Sequence, residues 1–113
     1  MKTQSAKAKG RKLQQWFRDQ ILELFPFSHE DVRSTSMGAG GEDILFSQLA
    51  GDKLKVSVEC KSRESMAVYA FYSQASDNCP EDREPVLVIK QNKSQPLVVV
   101  DAVHYLQLLE RST

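Results

Sequence analysis

The chain is 113 residues long, 41% hydrophobic and 27% charged, the mix of one folded domain and not of a disordered segment. No apolar run approaches the ~20 residues that a membrane-spanning helix needs, and the basic N-terminus lacks the apolar stretch of a signal peptide, so a cytoplasmic protein is expected. The net charge of zero hides an asymmetry: residues 1–18 hold Lys2, Lys7, Lys9, Arg11, Lys12 and Arg18 with no acid, leaving nine bases against fifteen acids. A basic arm over an acidic body suits a polyanionic partner, while charge alone equally fits the blander reading of a solvated, partly disordered terminus. The two cysteines, Cys60 and Cys79, make no disulfide framework and are expected to be reduced thiols. Neither His29 nor His104 stands at zinc-finger spacing from them.

Residues 1–9 lack periodicity and read as a flexible lead-in, with one domain over 10–113. From Gly10, Leu13, Trp16, Phe17, Ile21, Leu24 and Phe25 recur at three- and four-residue steps, predicting an amphipathic helix that Pro26 ends. A short strand over Val32 to Ser36 leads into the glycine-rich Met37-Gly38-Ala39-Gly40-Gly41. Asp43 to Leu49 and Leu54 to Lys61 read as two strands joined by a turn at Gly51-Asp52, a hairpin. In the second, Leu54, Val56, Val58 and Cys60 alternate with Lys55, Ser57, Glu59 and Lys61, one core face and one polar face. Glu64 to Ser76 reads as a helix and Asn78 to Asp82 as a loop. Val86 to Lys90 and Leu97 to Val100 read as strands, and Asp101 caps a closing helix. The expected fold is α/β, a mixed sheet flanked by helices in the order α-β-β-β-α-β-β-α.

Glu59 and Lys61, two apart on a strand, leave one face about 6.6 Å apart along the chain. A hairpin brings Asp43 beside Glu59, so that two carboxylates and an ammonium converge. Hard Mg²⁺ favours such oxygen ligands together with water and phosphate, and the Cys60 backbone carbonyl is a further candidate ligand. A lysine there can stabilise charge developing on a phosphate. The bland alternative is a solvent-facing ion pair beside an unrelated aspartate.

The company of these residues distinguishes the two. Gly41-Glu42-Asp43-Ile44 followed by Val58-Glu59-Cys60-Lys61 resembles the PD-(D/E)XK nucleases. Together with Arg33-Ser34-Thr35-Ser36, the glycine loop and Pro85-Val86-Leu87-Val88-Ile89-Lys90, it resembles the archaeal-type Holliday junction resolvases and their phage relatives, over roughly Lys9 to Leu109. The resemblance implies a restriction-endonuclease-like core and a Mg²⁺-dependent DNA endonuclease in which Mn²⁺ can substitute. Asp43 and Glu59 would be its metal carboxylates and Lys61 its catalytic lysine. It also implies a serine near the site, Ser34 or Ser36, and a homodimer acting on branched DNA. Glu42 stands where proline is usual, and Gln14 or Gln15 stands where resolvases carry a first-helix glutamate. Gln74, on the helix after Lys61, is an accessory candidate with a solvated position as its alternative. Lys7, Lys9, Arg11, Lys12, Arg33, Arg63 and Lys90 are candidate DNA contacts, although Lys90 also fits a snorkelling residue at a sheet edge. Tyr69, Phe71 and Tyr72 read as packing residues more than as a base-stacking platform. The rival functions are a nuclease of the same fold acting on nicked, flap or linear duplex DNA, and a catalytically silent DNA-binding protein.

Overall fold

A computed structural model describes residues 2–35 and 42–113, with the side chains of residues 2–5 left aside. Ser36, one of the two serines expected near the site, and the glycine loop lie outside the described residues. The long helix α1 spans Lys2–Leu24 and is followed by strands β1 (Val32–Ser34) and β2 (Ile44–Phe46). Then come α2 (Gln48–Leu54), β3 (Val56–Arg63), α3 (Val68–Asp77), β4 (Glu84–Gln91), β5 (Leu97–Val99) and α4 (Ala102–Arg111). The chain is thus an α/β protein with a mixed sheet flanked by helices. Among the described residues no helix is long and apolar enough to cross a membrane.

Two expectations need correction. Helix α1 begins at Lys2 and not Gly10, so the basic lead-in is helical: Ala6, Lys7, Ala8 and Lys9 are good helix formers that continue the turn already set by the apolar stripe. The β2–β3 hairpin does not form. Residues 48–54, expected to carry its turn, are the helix α2, which adds an element to the order. The Ser47 hydroxyl caps α2 by accepting from the Ala50 N–H, and Lys55 closes it in the left-handed region at φ 55°.

Strand β2 pairs antiparallel with β1, Ser34 standing opposite Ile44. Strand β3 instead pairs in parallel with β4 across α3, Glu59 opposite Leu87 and Ser62 opposite Lys90, and β5 adds antiparallel to the far side of β4. The β1–β2 ribbon meets the free edge of β3 through one backbone bond, the Asp43 N–H donating to the Val58 carbonyl at 2.9 Å.

The alternation in β3 sets its two faces. Val58 and Cys60, with Val86 and Val88 of β4, join Leu13 and Ile21 of α1 and the fully buried Val32 and Ile44 in the main core. Each such aliphatic side chain contributes about 1.5–3 kcal/mol on burial. The other face of β3 and β4 is covered by α3, so the expected polar face is not open to water: Glu59 is only 7% exposed. Asp101 caps α4 as the sequence suggests, its carboxylate accepting from the Val103 and His104 N–H groups.

Candidate active site: two carboxylates at a strand edge

Asp43 directly precedes the fully buried Ile44, and its own N–H is tied to Val58. That double anchor fixes where its side chain begins. The carboxylate then takes the place of a neighbouring strand: Oδ2 accepts the Cys60 N–H at 2.7 Å, the short length of a charge-assisted bond. In a β-strand the N–H and C=O of one residue leave toward the same edge. The Cys60 carbonyl is therefore directed to the edge that Asp43 occupies and away from β4.

Glu59 is within hydrogen-bonding reach of Asp43, and its Oε1 also accepts from the Asn78 side-chain amide at 3.3 Å. Gln14, 3% exposed in α1, hydrogen bonds to Asp43 from the opposite side. The Lys61 ammonium attracts both carboxylates and lies 5.4 Å from the centre of the Phe71 ring, a cation–π distance. Arg63 stacks over the same ring at 5.9 Å.

Burial pushes the Asp43 carboxyl above its ordinary value, with the Cys60 N–H and Lys61 pulling the other way. Burial also raises Glu59, and the charge of Asp43 raises it further. Like charges held this close cannot both ionise cheaply, so each carboxylate disfavours ionisation of the other and a cation between them would relieve the repulsion. One ammonium is too little charge to neutralise two carboxylates. A hard divalent ion suits this donor set: two carboxylates and a carbonyl, with water and a phosphate for its remaining positions. Among the described residues no group of three His, Cys, Asp or Glu side chains surrounds one point, so the carbonyl and the substrate must complete the shell.

Asp43, Glu59, Lys61, the Cys60 backbone and Gln14 are brought together, although the β2–β3 hairpin expected to join them is absent. Of the two first-helix glutamines, Gln14 faces the site and Gln15 is exposed. Gln74 is exposed too, and Asn78, one turn further along, is the α3-end side chain that reaches Glu59. The sequence offered Asn78 only as a loop residue; its signal is the Asn that closes an amphipathic helix. Ser34 is half-buried in β1, beside the Thr35 N–H that donates to the Asp43 carbonyl. Phe71 packs, as expected, but under the two cations; Tyr69 is 89% exposed. Cys60 is a buried thiol raised strongly by burial and Cys79 is half-buried, and both are free.

Lys7, Lys9, Arg11, Lys12 and Arg33 are exposed, and Arg63 and Lys90 are half-buried. Lys9 donates to the Asn92 side chain at 3.1 Å, tying α1 to the β4–β5 turn.

No family model, curated protein or solved structure matches the chain. The site has to be read from its own chemistry.

Proposed function

We propose that the chain is a Mg²⁺-dependent DNA endonuclease of restriction-endonuclease-like fold, that its substrate is branched DNA of the Holliday junction type, and that it works as a homodimer. The observation that carries this reading is the convergence of Asp43, which directly precedes β2, with Glu59 and Lys61 of β3 at one strand edge, with the Cys60 carbonyl directed to the same edge.

Asp43, Glu59 and the Cys60 carbonyl would hold the ion. When bound, it supplies positive charge to a scissile phosphate and favours ionisation of a water molecule. Gln14 and the Cys60 N–H orient Asp43, and Asn78 orients Glu59, so both carboxylates would be held ready for an ion. Lys61, steadied over Phe71, stabilises negative charge on the phosphate in the transition state. Substrate geometry and the dimer rest on the resemblance of the motif to the resolvases. The near two-fold symmetry of a junction suits two copies of one site.

The test is strand scission of a four-way junction beside linear duplex of the same sequence, with Mg²⁺ and with chelator, for the native chain and for Glu59→Gln. Mg²⁺-dependent cutting of the junction, lost in the variant, is expected. Equal cutting of both substrates would reduce the reading to a general nuclease, and no cutting of either would remove it.

A further inference from the structure

A second polar cleft, of about 370 Å³, opens beside the C-terminal ends of β3 and β4. Lys9 and Lys12 come to it from α1, Ser62 from β3, Lys90 from β4, and Asn92 and Lys93 from the turn after β4. Four ammonium groups line it with no acid among them, in a chain whose acids and bases are equal in number. The cleft is also a built one. The Lys9–Asn92 bond fastens α1 to the turn, Ser62 is only 5% exposed, and the Ser94 N–H closes that turn on the Gln91 carbonyl at 3.0 Å.

Its place relative to the carboxylates follows from strand alternation. Glu59 and Lys61 leave β3 toward α3, whereas Ser62, like Cys60 and Val58, leaves toward α1. The cleft therefore lies across the sheet from Glu59 and Lys61. Open sheets of parallel strands present ligands just beyond their carboxyl ends, where both Ser62 and Lys90 stand.

We infer that the cleft lined by Lys9, Lys12, Lys90 and Lys93 is a phosphate-binding site that grips the sugar–phosphate backbone of DNA at phosphates other than the one cut, without a metal ion. The choice of DNA as the bearer of those phosphates rests on the nuclease reading above; the affinity for phosphate rests on the cleft alone. Ammonium groups take phosphate as point charges and do not read bases. The contact thus holds the duplex in place whatever its sequence.

The experiment is fluorescence anisotropy of the full chain on a short labelled duplex, in chelator, across a salt series. The variant is Lys90→Gln with Lys93→Asn: glutamine keeps most of the lysine stem, and asparagine tolerates the φ of 63° that residue 93 adopts. Lys53→Ala with Arg111→Ala, on exposed positions of α2 and α4, is the control of equal charge. Removing two phosphate contacts should cut the log–log salt slope by about 1.8, so that raising salt from about 50 to about 200 mM weakens the variant about twelvefold less than the native chain. The control should keep the native slope, and melting curves should show both variants folded. An unchanged slope in the cleft variant, or an equal drop in the control, overturns the inference and leaves the nuclease reading standing. A drop confined to the cleft variant, in a protein that cuts nothing with Mg²⁺, supports the cleft and removes the nuclease.

Discussion

Replacing Asp43 by asparagine and, separately, by alanine separates its structural bond from its charge. Asparagine keeps an oxygen for the Cys60 N–H, which Asp43 now accepts at 2.7 Å. Alanine leaves that N–H, on a residue only 6% exposed, without its acceptor, at a cost of about 1–3 kcal/mol. For a domain of this size one kcal/mol moves the melting temperature by roughly 4 °C, so Asp43→Ala should melt about 4–12 °C below Asp43→Asn, which loses the same charge and keeps the bond. Asp43→Asn should melt at or above the native temperature in chelator at neutral pH, because it also removes one of two mutually repelling carboxylates. Both should lose Mg²⁺-dependent cleavage, asparagine being a poor ligand for a hard cation. The assay is a melting curve beside a strand-scission rate for each variant. If asparagine fell as far as alanine, the bond to Cys60 would not be what Asp43 contributes to stability. Cleavage retained by Asp43→Asn would refute its role as a metal ligand.

Three further outcomes are expected. The native Asp43 and Glu59 carboxyls are raised above the ordinary values of 3.8 and 4.5, so the folded state holds protons that the unfolded chain releases; stability in chelator should therefore be fully present below those ordinary values and fall as pH rises through the raised ones, with Mg²⁺ cancelling the fall and a flat melting-temperature profile over that range counting against the buried pair. Asn78→Ala frees Glu59 from its amide partner and should lower the cleavage rate about 10–100-fold and demand more Mg²⁺ for half-maximal rate, as loss of a ligand-orienting bond does, with little change in melting temperature. His104 is 6% exposed and both its ring nitrogens lack a hydrogen-bond partner among the described residues; His104→Leu should raise stability by about 1 kcal/mol, and a lower melting temperature would show that the imidazole is satisfied.

Much of this architecture is legible in the amino-acid pattern, and the exceptions have identifiable causes. The three- and four-residue steps from Leu13 to Ile21 mark the face of α1 that enters the core, and the alternation over Val56–Lys61 separates the two faces of β3. Helix α2 escapes notice because Gly51 and Asp52 read locally as a turn. Gly51 is a helix-weakening residue that lies against the mobile end of the Arg83 side chain, which would have to shift to admit a Cβ. Alternation also cannot say what covers a polar face. Glu59 is buried by α3, a tertiary event that leaves no mark in the local pattern of β3. Asp43 and Glu59 meet without the expected hairpin, because their meeting depends only on Asp43 reaching the edge of β3.

The run Glu59-Cys60-Lys61-Ser62 has a consequence for how the chain can change over evolutionary time. Its odd members face α3 and its even members face α1. One residue inserted or deleted upstream in β3 would turn Glu59 and Lys61 into the aliphatic core and expose Cys60 to the carboxylate side, while Ser62 would leave the lysine cleft. Neither site can drift in register without carrying the other with it. Lineages of this protein should therefore accept length changes before β3 or after β5 and almost none within the strand, and the two sites should be kept or lost as one unit.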